Sequence, residues 1–218
     1  MRVDLSHAAA SAAVLPVAST TPCPHLRGQQ GMSLIVVLIL LVVISILGIG
    51  AAQLSMMGER GARNERDLQM AWQGAEAGLM DAEYDIRGPG TATRKDLFTK
   101  NDSSAFSVGT CGNSGTGKGL CDPSTVTGKP LWLSVDLAAT SPTAAIYGDF
   151  TSRAFKSGND GLQPAKKPRY MIEVLPDRNA FGDASGRADK KFVYRVTSMG
   201  FGPRDDIQAV TQILFRKE

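Results

Sequence analysis

Gly31-Met32-Ser33-Leu34-Ile35-Val36-Val37-Leu38-Ile39-Leu40 opens a stretch that carries no charged side chain until Glu59. From Met32 to Ala52 there are 21 residues, and only Ser33 and Ser45 among them are polar. At about 1.5 Å of rise per residue, a helix of that length spans roughly 31 Å, close to the hydrocarbon thickness of a bilayer. The stretch therefore predicts a membrane-spanning helix. No proline lies between Pro24 and Pro89, so nothing in the sequence stops that helix where the apolar run ends.

Downstream, Leu68, Trp72, Ala75, Leu79, Ala82 and Ile86 recur at alternating spacings of four and three. This predicts one apolar stripe on an amphipathic helix, seated on whatever the rest of the chain builds. Arg63, Asn64, Glu65, Arg66, Asp67, Gln69, Gln73, Glu76 and Asp81 fall on the other faces. Glu59/Arg63 and Glu83/Arg87 are i,i+4 pairs with the acid N-terminal, the favoured orientation. Gly88-Pro89-Gly90 is the stop signal. From Met32 to Arg87 the helix would run 56 residues, roughly 84 Å if continuous. That is too long for a compact domain of 23.1 kDa, so its first half is expected to protrude. Gly48, Gly50, Gly58 and Gly61 each cost about 1 kcal/mol of helix propensity. Two readings of them stand: close packing through small residues, or a segment that loosens when the helix leaves lipid. Gly74 and Gly78 point to close approach of a sheet or a neighbouring helix.

The remaining composition narrows the function classes. A formal net charge of +3 gives no strong nucleic-acid footprint. The two histidines, His7 and His25, both precede the apolar segment. A chain cut at that segment has no histidine, which excludes a Ser/His/Asp triad, a Cys/His dyad and any His-ligated metal. No cofactor or metal site is expected. Cys111 and Cys121 bracket a glycine-rich loop, and two cysteines alone cannot build a structural zinc site. In an oxidising compartment they form one disulfide; the alternative is two free surface thiols.

After Gly90 the chain changes character. Residues 89–130 are rich in Gly, Ser and Thr and are read as mostly loop. Residues 131–137 alternate in their second half and predict a strand; residues 145–150 predict a weaker, short one. Gly148-Asp149 and Asn159-Asp160-Gly161 are turn signals, and no EF-hand ligand series follows the latter. The basic run Lys166-Lys167-Pro168-Arg169 is read as a solvated loop. Three clear strands close the chain, over residues 170–175, 192–199 and 207–215, and short connections favour an antiparallel meander. The expected fold is α+β: a long N-terminal helix packed on a C-terminal antiparallel sheet. Its segments are a leader (1–31), an apolar helical half (32–52), an amphipathic helical half (53–88), the loop region (89–130) and the sheet of a globular head (131–218).

This arrangement resembles the type IV pilins. Residues 27–38, Arg-Gly-Gln-Gln-Gly-Met-Ser-Leu-Ile-Val-Val-Leu, resemble a class III prepilin signal, cut after the glycine, here Gly31. The run Asp67-Leu68-Gln69-Met70-Ala71-Trp72-Gln73-Gly74-Ala75-Glu76-Ala77-Gly78-Leu79-Met80-Asp81-Ala82-Glu83 is similar to the PilX-type minor pilins, whose helices carry a related Gln, Ala, Glu and Asp-Ala-Glu pattern. The resemblance is strong from Gly31 to about Arg87, weakens through the middle and returns loosely in the last 25 residues. It implies a structural, non-enzymatic subunit that prepilin peptidase cleaves and then methylates at Met32. It further implies a low-abundance component that helps initiate a pilus serving adhesion and twitching motility. The implied partners are other minor pilins, the major pilin, a PilY-type tip protein, the peptidase, and inner-membrane lipid before assembly, with no nucleic acid. The implied location is a single-pass inner-membrane protein with a periplasmic head, then a surface pilus.

Two departures bear on this. Most major pilins have Glu at the fifth mature position, and counting from Met32 that position is Val36. An unpaired carboxylate there would cost about 2.5–3.5 kcal/mol in a membrane, so Val36 points to a subunit at or near a pilus tip, with no preceding amine to meet. The leader is also long, at 31 residues; a start at Leu26 would leave Leu-Arg-Gly-Gln-Gln-Gly. Three alternatives stand beside the pilin reading: a minor pseudopilin of a type II secretion system, a secreted protein cut near Gly50-Ala51-Ala52, and a membrane-tethered enzyme.

Overall fold

The computed structural model describes residues 32–88, 94–98, 102–158, 161–177 and 191–217. The leader and the Asn159-Asp160 turn signal lie outside them. Helix α1 (Met32–Arg87) runs for 56 residues and ends at Gly88, whose φ of +65° closes it in the left-handed conformation that glycine adopts without a Cβ clash. Gly88 N donates to the Tyr84 carbonyl at 2.8 Å, satisfying one of the last helical acceptors.

The chain divides into two units, Met1–Gln53 and Leu54–Glu218. In the first, every large apolar side chain over residues 34–49 is exposed, from 45% at Val43 to 73% at Leu34. Ser45 turns its hydroxyl back onto the Leu41 carbonyl at 2.7 Å, so its polar group is satisfied within the helix. A helix bonds all its interior backbone groups internally, and that makes this apolar surface compatible with lipid.

The second unit holds the rest of α1, a one-turn helix α2 (Leu131–Ser134) and six strands: β1 (Ser107–Val108), β2 (Leu120–Asp122), β3 (Ala145–Ile146), β4 (Arg169–Pro176), β5 (Phe192–Phe201) and β6 (Gln208–Phe215). They form one sheet in the order β1-β2-β4-β5-β6, with β3 also on β4. The meander β4–β5–β6 is antiparallel, as the sequence predicts. The β1–β2 and β2–β4 pairs are parallel, so the sheet is mixed. These two short strands lie inside the region read as loop. At two and three residues they have no period to read, and their pairing partners set their conformation.

Residues 131–137 are the clear correction. Instead of a strand, Leu131–Ser134 makes one helical turn that begins at Pro130, whose φ of −59° suits a helix start. The Pro130 carbonyl accepts from Leu133 N, Ser134 N and Ser134 Oγ. No neighbouring strand pairs with this segment among the described residues; Leu131 and Leu137 are buried instead. The 145–150 candidate shrinks to Ala145–Ile146 because Gly148, at φ +84°, turns the chain.

Alternation along β4 gives the sheet two apolar faces. Tyr170, Ile172 and Val174 join Ala82, Ile86 and Phe98 in the core beneath α1. Met171 packs on the other face with Leu131 and the cysteines. Cys111 and Cys121 form a disulfide. The loop they close is also pinned by Gly112 N to the Leu120 carbonyl at 3.0 Å and Gly119 N to the Gly112 carbonyl at 2.9 Å. Replacing both cysteines by serine should lower the unfolding free energy of the oxidised protein by about 2–3 kcal/mol, the entropy of closing a loop of this length. Chemical denaturation of the two proteins measures it.

Candidate functional site

The contact between α1 and the sheet is built from the smallest side chains on the helix. Ala71, Gly74, Ala75, Gly78 and Ala82 are all buried. A Cβ on Gly200 of β5 would lie 2.1 Å from the Ala71 carbonyl oxygen and 2.2 Å from Ala75 N. A Cβ on Gly78 would lie 2.2 Å from Ser198 Oγ. Helix backbone and strand backbone therefore touch, with Gly74 against Gly200 and Gly78 against Ser198.

The predicted helix–sheet stripe is only partly in that contact. Ala75, Ala82 and Ile86 are fully buried; Leu68 and Leu79 are half-buried; Trp72 is 46% exposed. At 100° per residue, the buried face is rotated by roughly 70° from the centre of the predicted stripe. Periodicity weights bulk, whereas close packing selects residues that let backbones meet. The large side chains are thereby displaced to the flank of the helix.

Two buried carboxylates sit on the same face. Gly74, Gly78, Asp81 and Asp85 follow each other at spacings of four, three and four, and that register could have exposed them in the sequence. Asp81 belongs to the buried face, not to the polar one where its charge had placed it. It accepts from Gly148 N at 2.8 Å and Thr151 Oγ1 at 2.5 Å, with Arg153 Nη1 at 3.7 Å. Asp85 faces Arg94, and neither side chain has any solvent exposure. Arg94 Nε lies 2.9 and 2.8 Å from the two carboxylate oxygens, and Nη2 donates to Oδ2 as well. Tyr170 Oη donates to Asp85 Oδ2 at 3.1 Å. The other end of the guanidinium donates to the carbonyls of Thr116 and Lys118 at 3.0 and 2.7 Å, and its carbon sits 3.4 Å from the Phe150 ring centroid.

Arg94 thus fastens the disulfide loop to α1. Burial pushes the Asp85 carboxyl up from its ordinary range, opposed by its bonds to Arg94 and Tyr170. The same burial, reinforced by the Asp85 charge, holds the Tyr170 hydroxyl well above its ordinary value and hence protonated. These groups face each other in the core, with Asp85, Arg94 and Tyr170 all without solvent exposure or nearly so. Among the described residues no group of three or more His, Cys, Asp or Glu side chains could hold a metal ion.

Of the remaining residues singled out in the sequence, Gly31 lies outside the described residues and Met32 is the first residue of α1. Val36 lies in the apolar half with its side chain 54% exposed. Two family models match this chain. PilX N-terminal covers residues 30–79, and Type IV pilus assembly protein PilX C-term covers residues 98–217. The chain belongs to the PilX family of type IV pilus minor pilins. No curated protein and no solved structure matches it.

The long helix and six-stranded sheet are the α+β architecture of a pilin. PilX proteins are structural, pilus-associated and interact with other pilus components. In this member the helix–sheet contact and the Asp85–Arg94 pair set the position of the head's loops on α1. Removing one partner of a buried ion pair leaves an uncompensated charge in the core. Asp85→Ala should therefore destabilise the head by about 3–5 kcal/mol. Asp85→Ala combined with Arg94→Met should recover part of that loss, because the stranded charge is gone. Denaturant titration of the three proteins measures both effects.

Proposed function

We propose that this PilX-type protein is made as a prepilin and cut between Gly31 and Met32 by prepilin peptidase, which then methylates Met32. The 32–52 segment holds the protein in the inner membrane as a single pass, with the head in the periplasm. The same segment later leaves lipid and packs inside a fibre that reaches the cell surface. The subunit sits at or near the pilus tip and helps initiate assembly with the major pilin, other minor pilins and a PilY-type tip protein.

The observation that carries this reading is the junction at residues 31–36: a glycine, then an uninterrupted apolar helix in which the fifth position is Val36 rather than Glu. A valine needs no partner in lipid or in a fibre, whereas a carboxylate there needs a cation. A subunit without that carboxylate does not seek the amine of a subunit ahead of it. Gly48, Gly50, Gly58 and Gly61 fit the same life cycle. An added Cβ at any of them meets nothing within 4 Å in the chain, so no contact among the described residues requires a glycine there. Glycine lowers helix stability at each site, which eases local unwinding on the way from lipid to fibre.

Mass spectrometry of the protein isolated from its host should find Met32 as the first residue, carrying one N-methyl group. A first residue at Ala52 or Gln53, or an intact 1–31 segment, would contradict the reading.

A further inference from the structure

We infer that the Cys111–Cys121 disulfide and the buried Asp85–Arg94 pair form one redox-sensitive latch. With the disulfide closed, its loop holds Arg94 on Asp85; with the disulfide reduced, Arg94 leaves and the last turn of α1 loosens. This goes beyond the pilin reading and does not depend on where the chain is cut. Arg94 joins the two elements through opposite ends of one planar guanidinium. Nε and Nη2 lie on Asp85 of α1. Nη1 has two hydrogens, and they go to the Thr116 and Lys118 carbonyls at 3.0 and 2.7 Å. Both carbonyls lie between the two cysteines.

Burial makes the two ends of Arg94 interdependent. Neither Asp85 nor Arg94 has any solvent exposure in its side chain. Each guanidinium hydrogen must therefore find its acceptor inside the protein. If the loop carbonyls move away, Nη1 keeps two unbonded hydrogens on a buried cation. A charged group stripped of its partners in a core is far more costly than the same group in water, so the cation moves out. Tyr170 is then the remaining hydrogen-bond donor to Asp85 among the described residues. The helix ends two residues later, at Arg87, so its last turn is the part that yields.

The disulfide keeps those carbonyls in place. Four residues between the cysteines are glycine: Gly112, Gly115, Gly117 and Gly119. Glycine loses more backbone freedom on ordering than any other residue, so such a loop resists ordering by itself. Its second limb is tied to the sheet. Ile172 N donates to the Gly119 carbonyl at 2.8 Å, and Leu120 and Cys121 pair with β4. Its first limb, which carries Thr116, reaches the sheet through β1, only two residues long, through the two bonds at Gly112, and through the disulfide itself. Reduction removes the covalent tie and leaves the short ones.

The two sulfurs are not equally open. Cys111 keeps 7% of its surface and Cys121 none, so a reducing dithiol reaches Cys111. Its thiolate bonds to Cys111 Sγ, the S–S bond breaks, and Cys121 leaves as a thiolate that takes a proton. The reductant's second thiol then displaces Cys111, so the protein gains two electrons and two protons and the reductant ends as a disulfide. Coupling of this kind is reciprocal: the factor by which the disulfide favours the Asp85–Arg94 pair is the factor by which the pair favours the disulfide. The buried pair therefore makes the disulfide harder to reduce.

The test equilibrates the full-length protein in detergent with glutathione redox buffers and reads alkylation of Cys111 and Cys121, peptide by peptide, by mass spectrometry. Arg94→Lys keeps a cation opposite Asp85 but has no second end for the loop carbonyls. It should shift the disulfide equilibrium about tenfold toward the dithiol, within the range for contacting groups. Lys118→Met removes the side-chain bond to Asp149 while leaving the Lys118 carbonyl, and should leave the equilibrium unchanged. Hydrogen exchange on the unsubstituted protein gives a readout that needs no variant. Reduction by dithiothreitol should speed exchange at the amides of residues 85–88 and leave β5 and β6 protected. An Arg94→Lys equilibrium equal to the parent's would overturn the latch. So would amides at 85–88 that stay as protected after reduction, or a loss of protection that spreads across β5 and β6.

Discussion

The backbone contact between α1 and β5 at Gly200 is the constraint on which the head depends. A helix normally rests on a sheet through its side chains, at a distance set by their bulk. Here the Gly200 position lies so close to the Ala71 carbonyl and Ala75 N that any Cβ would overlap both. Once the backbones touch, several choices follow. The helix face must be Ala and Gly at 71, 74, 75 and 78. Polar groups on that face lose water and must be paired inside the protein. Asp81 and Asp85 are paired by Gly148, Thr151, Arg94 and Tyr170. Gly148, Thr151 and Arg94 belong to irregular segments, so the pairing also fixes where the loops lie. Arg94 then carries the constraint on to the disulfide loop through the carbonyls of Thr116 and Lys118.

Much of this fold was legible in the sequence, and the parts that were not share a cause. The apolar run from Met32 and the proline-free continuation to Gly88 gave the helix its extent, because length and composition are local properties. The three closing strands were legible because they are long and rich in β-branched and aromatic residues, with Tyr194 and Val196 alternating with Arg195 and Thr197 in the second of them. The rotation of the helix face was not legible from apolar periodicity, because that method treats Trp72 and Leu68 as better core candidates than Gly74. Only the partner, Gly200, inverts that ranking. β1 and β2 were invisible because two or three residues carry no period. Residues 131–137 misled because their alternation was real, but no neighbouring strand was there to use it.

The site was legible in an uneven way. The junction at Gly31, Met32 and Val36 is read from the sequence alone, and the processing proposed there awaits its test. The buried charges could not be found by composition, since Asp81 looks like any exposed helical acid. Their spacing in register with Gly74 and Gly78 was the one available signal. The displaced residues make sense in the same terms. Leu79 lies beside the backbone contact at Gly200 rather than in it, packed on the core with Ile213 and Phe215 of β6 nearby.

The central claim is that helix and strand backbones meet at Gly200, and unfolding of the full-length Gly200→Ala protein tests it most directly. Gly58→Ala serves as the reference, since a Cβ there meets nothing within 4 Å. The account expects Gly200→Ala to lose about 1–3 kcal/mol, the cost of forcing extra volume into a packed core. It expects Gly58→Ala to gain up to about 1 kcal/mol from helix propensity. A Gly200→Ala protein as stable as the parent would contradict it.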